Sequence, residues 1–117
     1  MSDDEVAMVP RRSEKLAAVY MTAASREEAQ RIARALVEER LAACVNILGA
    51  CESVYRWKGA VEEGQEVAML AKTRRSAVER LIARVRELHS YEVPCAVAFS
   101  IKRGNPDFLG WISESVE

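Results

Sequence analysis

The side chains of this sequence that could carry chemistry begin with a single histidine, His89. An imidazole can bind a borderline metal ion such as Cu(II) or Zn(II). The same residue stands at the end of a predicted helix, where a histidine can also cap the last carbonyl groups. Its type and position leave two interpretations open, a metal ligand and a helix cap.

Three cysteines, Cys44, Cys51 and Cys95, are the next candidates for metal chemistry. Their number is odd, they form no CxxC pair, and they lie in apolar or strand-like segments, which is typical of reduced thiols in a cytoplasmic protein. Free cysteines often pack as small apolar residues in a core. For Cys44 we predict core packing, and a role as a metal ligand is the alternative.

A second set of residues has side chains with a polar group near the end. They are spread over two predicted strands and a later loop: Tyr55, Trp57, Glu66, Lys72 and Tyr91. These side chains could converge in a cleft between subunits and bind a small anion or another small ligand there. Alternatively, they pack at the subunit boundary, with Glu66 and Lys72 paired as a salt bridge between adjacent strands. The sequence does not choose between the two.

No recognisable catalytic motif accompanies these residues. The chain has no GxSxG or HExxH motif and no glycine-rich phosphate loop, so we predict a binding protein and not an enzyme. Its 17 Lys and Arg residues nearly balance its 18 Asp and Glu residues, so no overall positive field attracts nucleic acid or an anionic membrane. No apolar run approaches the roughly 18 residues of a membrane span, which predicts a soluble protein.

The elements that must position these side chains follow from hydrophobic patterns. Continuous apolar segments predict strands over residues 15–22, 41–57, 65–73 and 95–101. Apolar stripes at helical spacing predict helices over 25–40 and 76–89, and a short helix ends the chain. Three helix starts carry capping patterns, namely Ser25 with Glu28, Ser76 with Glu79, and Asn105 before Pro106.

Two glycines indicate how the second and third strands are connected. Lys58-Gly59 offers the positive φ that a tight reversal needs, so these strands form a long hairpin. Gly49 indicates a bulge or bend within the long second strand.

The element order, βαββαβ plus one helix, predicts an α+β fold. Right-handed crossovers lead to a ferredoxin-like sandwich with two helices on one face of one sheet. The other face stays uncovered, and the hairpin carries six further apolar or aromatic residues: Val54, Tyr55, Trp57, Val61, Val67 and Met69. A monomer rarely exposes so much apolar surface, so we predict a closed oligomer.

Four motifs carry a resemblance to a known family: LAACVN at 41–46, SVYRWKG at 53–59, Glu66 with Lys72-Thr73, and HSYEVP at 89–94. Over residues 15–116 the chain closely resembles the CutA divalent-ion-tolerance family. The resemblance implies a ferredoxin-like subunit in a tight homotrimer whose hairpins pair edge to edge, a design shared with the P-II signalling proteins. It also implies a role in tolerance of divalent cations such as copper.

The same resemblance implies where a metal would bind. In copper-binding relatives, the ligands include a thiol at the end of the first strand and two adjacent histidines, and these positions are Met21, Leu88 and His89 here. A leucine cannot coordinate, and a thioether suits Cu(I) better than Cu(II). Of these positions, His89 and Met21 stay candidate ligands for Cu(II) or another divalent cation. Cys44, whose possible role as a ligand is described above, is the third candidate.

Two functional hypotheses result for a single domain over residues 15–117, preceded by a predicted disordered lead-in over 1–14. The first is a trimeric cytoplasmic protein of divalent-cation (copper) tolerance that binds metal ions. The second is a P-II-like signalling or structural trimer that binds a small anion or a partner in the inter-subunit cleft without metal.

Overall fold

The computed structural model describes residues 15–117, and the predicted lead-in over 1–14 lies outside the described residues. The described chain forms four strands, namely β1 (Leu16–Ala23), β2 (Cys44–Trp57), β3 (Ala60–Arg74) and β4 (Ala96–Ile101). It also forms three α-helices, namely α1 (Arg26–Glu38), α2 (Val78–Leu88) and α3 (Pro106–Ser115). The element order confirms the predicted βαββαβ pattern with an added helix.

The four strands form one antiparallel sheet in the order β2-β3-β1-β4. Alternate β1 residues, Val19 and Met21, contact helix residues such as Leu36 of α1 and Leu81 of α2 in a single fully buried cluster. Both long helices therefore cover the same sheet face, as a ferredoxin-like sandwich requires. The other face is referred to below as the open face.

The chain reversals that join β2 to β3 follow the predicted local signals. Lys58 and Gly59 have φ of 52° and 85°, and Trp57 pairs directly with Ala60 around this two-residue turn. Gly49 has φ of 117°, and the register of β2 against β3 shifts between Ile47 and Gly49, so the predicted bulge is present.

The predicted helix starts are confirmed only in part. Ser25 caps α1 by accepting a hydrogen bond from the Glu28 N–H at 3.1 Å. The Glu28 carboxylate, however, accepts from the Ala24 N–H at 2.8 Å and not from that of Ser25. The predicted Ser76 cap of α2 is wrong, because Ser76 lies in a short 3₁₀ turn, Arg75–Ala77, and no side chain caps α2.

The open face is only partly covered. Near one end, Ile112 and Val116 of the C-terminal segment pack with Leu16, Ala43 and Ala77 in a second buried cluster. Elsewhere large apolar side chains remain exposed, among them Phe99 and Val97 of β4 on this face, and Val54 and Val61 on the opposite face of the hairpin. Of the hairpin residues predicted to be exposed, Met69 is instead fully buried, because it faces the helices.

The molecule is elongated, with extents of 56 × 24 × 22 Å, because the outer half of the β2–β3 hairpin extends beyond β1 and pairs only with itself. Within residues 15–117 no helix is both long enough and apolar enough to cross a membrane.

Candidate functional site

A cavity of about 520 Å³ opens on the open face, where the hairpin meets the loop that precedes β4. Its walls are largely aromatic, formed by Tyr20 of β1, Tyr55 and Trp57 of β2, and Tyr91 of the loop. The volume lies within the range of small-molecule sites. The cavity is therefore the candidate ligand site of the described chain.

Glu66 of β3 presents the main charge of the cavity. Its carboxylate accepts hydrogen bonds from the Ser53 hydroxyl at 2.6 Å and from the Tyr91 hydroxyl at 2.9 Å. Burial raises the pKa of this carboxyl, but these hydrogen bonds together outweigh burial and leave the pKa below its ordinary value. Glu66 is consequently ionised at neutral pH, and no Lys, Arg or His within residues 15–117 forms an ion pair with it.

Tyr91 acts as a neutral donor to this carboxylate. Burial first, then the hydrogen bond to Glu66 and the negative charge of that carboxylate, raise the pKa of the Tyr91 hydroxyl above its usual range. Cys95 at the cavity wall is affected in the same way, because burial and Glu66 both raise the pKa of its thiol. Protonated hydroxyl and thiol groups of Tyr91 and Cys95 thus lie in the cavity wall with the ionised carboxylate of Glu66.

His89 positions the loop that carries Tyr91. Its side chain is fully buried, and Nε2 lies 2.7 Å from the Thr22 carbonyl oxygen. Because a carbonyl oxygen only accepts, Nε2 carries the hydrogen, and Nδ1 accepts from the Tyr91 N–H at 3.1 Å. Both ring nitrogens are therefore engaged within the chain.

Glu28 holds the same loop from the side of α1. This buried carboxylate accepts from the Ser90 N–H at 2.7 Å in addition to the Ala24 N–H, and it lies 3.8 Å from His89 Nδ1. A residue predicted only as a helix cap thus connects α1 to the loop at the base of the cavity.

The three predicted metal ligands do not form one cluster, because Cys44 lies apart from His89. Met21 is fully buried on the helix-covered face. Cys44 pairs with Lys72 of β3, whereas Thr22, whose carbonyl contacts His89, pairs with Ala68 of the same strand. Lys72 and Ala68 are four residues apart, so Cys44 lies about 13 Å along the sheet from the His89 contact. Among the described residues, no group of three or more His, Cys, Asp or Glu side chains is placed to hold a metal ion.

Four of the five predicted cleft residues line the cavity, namely Tyr55, Trp57, Glu66 and Tyr91. Lys72 does not, because it lies six residues from Glu66 on the same strand, about 20 Å away. There its ammonium group donates to the side-chain oxygen of Asn46. The predicted alternative of a salt bridge between Glu66 and Lys72 on adjacent strands is therefore wrong for the single chain.

Sequence reasoning missed six cavity residues, namely Tyr20, Thr22, Ser53, Glu92, Val93 and Cys95. Ser53 could have been found, because it shares one face of β2 with Tyr55 and Trp57 at the two-residue spacing of a strand. Tyr20 and Cys95 reach the cavity only through the pairing of β1 with β3 and β4, for which the sequence carries no local signal.

Comparisons with known proteins agree with this architecture. The model of the family described as CutA1 divalent ion tolerance protein matches residues 17–115. The divalent-cation tolerance protein CutA of Thermus thermophilus is 50% identical over 97 residues, covering 83% of this chain and 94% of that protein. CutA1 from Oryza sativa has a similar structure, with a TM-score of 0.86 and 38% identity over 90% of this chain and 96% of that chain.

A further solved structure is that of the periplasmic divalent cation tolerance protein CutA from Archaeoglobus fulgidus. It matches with a TM-score of 0.84 and 45% identity, over 87% of this chain and 99% of that chain. The family match extends from β1 to α3 and includes both the cavity and the hairpin. This chain therefore belongs to the CutA1 divalent ion tolerance protein family.

Proposed function

We propose that the protein acts in divalent-cation tolerance as a homotrimeric binding protein without catalytic activity. Family membership supports the tolerance role, since relatives carry that name. The observation that carries a binding role is the ionised Glu66, held by Ser53 and Tyr91 in an open aromatic cavity. Three free thiols among the described residues support a cytoplasmic location, as in a reducing compartment.

The homotrimer is supported by the apolar surface that the single chain leaves uncovered. Val54, Val61 and Phe99 are 69%, 62% and 59% exposed, and the hairpin offers unpaired strand edges. Pairing of hairpins between subunits would cover these edges and the hairpin residues Val54 and Val61, and it would place the cavity at a subunit boundary. Light scattering at micromolar concentration is expected to give three chains per particle, and a stable monomer would contradict the proposal.

Direct Cu(II) binding at His89 is not supported by the geometry, because both ring nitrogens already hold hydrogen bonds that position the loop. We expect calorimetric titration of Cu(II) into the reduced protein to give the same result for wild type and His89→Ala. A second variant, His89→Gln, keeps the test valid in case His89→Ala does not fold, and circular dichroism checks the folding of both variants. Saturable binding near one ion per chain that disappears in both folded variants would instead assign His89 as a ligand.

A second candidate function is a P-II-like signalling or structural trimer whose cavity binds a small ligand or partner segment without metal. The cavity itself favours this candidate, because it is large enough for a small molecule and lies beside a loop fixed by Glu28 and His89. The sequence predicted a small anion or a partner segment there, near Lys72 and Tyr91. Within one chain, however, Lys72 lies outside the cavity, so a positive charge for an anion would have to come from a partner subunit.

A further inference from the structure

The charge of the cavity is opposite to the one that an anion would need. The ionisable carboxylates at its surface are Glu66 and Glu92, and no lysine, arginine or histidine of the described chain lines it. Glu66 is half-buried and receives hydrogen bonds only from neutral hydroxyl groups. A partly desolvated carboxylate without a cation attracts a positively charged ligand more strongly than an exposed carboxylate does.

The aromatic residues of the cavity wall also favour a positively charged ligand. Four aromatic rings, those of Tyr20, Tyr55, Trp57 and Tyr91, face the cavity that holds Glu66. The faces of such rings attract ammonium groups, and tryptophan does so best. An alkylammonium ion could therefore contact Glu66 through its charge while its methylene groups contact the rings.

The ammonium group of Lys58 already contacts an aromatic ring and a carboxylate at the edge of the cavity. Lys58 Nζ lies 5.6 Å from the centroid of the Trp57 ring and 3.9 Å from Glu92 Oε1. A tryptophan face and a carboxylate at the cavity mouth thus accommodate an ammonium ion in the structure itself. Glu66, which is less exposed than Glu92, also has aromatic neighbours in the cavity wall, but no cationic side chain of residues 15–117 forms an ion pair with it.

We propose that this cavity binds a small organic amine in its ammonium form, with Glu66 as the counter-ion and Trp57 as an aromatic contact. The inference rests on the proposed ligand-binding cavity and specifies the charge class of its ligand. A lysine of a partner subunit carries the same ammonium chemistry, and the test below separates the two sources.

The test is an NMR titration of the isotope-labelled, assembled protein with n-butylammonium, n-butanol and butyrate as probes of equal length. The chain has two tryptophans, so the indole N–H of Trp57 reports on the cavity and that of Trp111 on α3 is an internal reference. We expect n-butylammonium to shift the Trp57 signal saturably and to leave that of Trp111 in place. The neutral and anionic probes should have no comparable effect.

Glu66→Gln should weaken n-butylammonium binding by about tenfold or more, because it removes the counter-ion but keeps the shape of the side chain. Glu63→Gln is the matched control, since Glu63 pairs with Val54 and lies on the other face of the same strand. This control should bind as wild type does. A second variant, Trp57→Leu, should weaken binding severalfold, measured by the change in the signal of the ligand.

The proposal is overturned if n-butylammonium does not bind, if butyrate binds equally well, or if Glu66→Gln binds as wild type does. Binding that appears only in Lys72→Ala would also overturn it, because a partner lysine would then occupy the cavity. Light scattering on the same samples tests separately whether the protein is a trimer. A trimer that does not bind the amine would contradict the amine proposal but not the proposed tolerance role.

Discussion

Replacing Leu36 with alanine is expected to lower the free energy of unfolding by about 3 kcal/mol. Leu36 is fully buried between α1 and the sheet, in the cluster that also contains Val19, Met69 and Leu81. Truncation removes apolar contacts and leaves a cavity that helix and sheet packing closes only in part. The Leu36 carbonyl, which accepts from the Leu41 and Ala42 N–H groups, stays in place, so the loss reports on packing.

Urea denaturation followed by circular dichroism measures this effect, with all variants at one protein concentration because assembly contributes to apparent stability. The matched control is Val37→Ala, one residue along the same helix and 40% exposed. Its unfolding free energy should change by no more than about 0.5 kcal/mol. Equal losses in the two variants would show that Leu36 is not a core residue of the folded protein.

Glu28→Ala is expected to cost a similar amount, about 3 kcal/mol, for a different reason. The carboxylate accepts from two backbone N–H groups, of Ala24 and Ser90, at 2.8 and 2.7 Å. Hydrogen bonds to a charged acceptor contribute about 1.5 to 3 kcal/mol each, and donors left without a partner in a partly buried site add a desolvation cost. The variant should loosen both the start of α1 and the Tyr91 loop.

The neighbouring Glu27→Ala is the control for Glu28, because it removes the same charge from the first turn of α1 at an exposed position. It should cost no more than about 1 kcal/mol, the upper end of the usual contribution of an exposed carboxylate to a helix N-terminus. Equal stability of the two variants in urea denaturation would contradict the assigned role of Glu28.

The contribution of Glu28 also has a predicted pH dependence. Burial raises the pKa of this carboxyl, but hydrogen bonds from Ala24 and Ser90 outweigh burial, so the folded pKa lies below the ordinary value of 4.5. The stabilisation is therefore fully present above about pH 4.5 and is lost as the pH falls through the folded pKa. The difference in unfolding free energy between wild type and Glu28→Gln should accordingly shrink on acidification. A difference that grows instead would contradict the pKa assignment.

The sequence by itself determined the local features of the molecule. Lys58-Gly59 produced the predicted tight turn and Gly49 the predicted bulge, because few residues adopt positive φ without strain. Apolar stripes predicted both long helices for a similarly local reason, since one buried face at helical spacing selects a helix. The Ser76 cap failed because a 3₁₀ turn, which the pattern of a capping box does not distinguish, precedes α2.

Only the tertiary structure decided which polar groups meet. Ser53, Glu66 and Tyr91 are far apart in sequence, and their hydrogen bonds depend on the pairing of β2 with β3 and on the loop that His89 holds. The separation of Lys72 from Glu66, by contrast, already follows from the strand predicted over 65–73, because residues six apart on one extended strand cannot touch. Residue types therefore predicted an aromatic, polar cleft, whereas strand pairing and the position of the loop decided which polar groups meet in it.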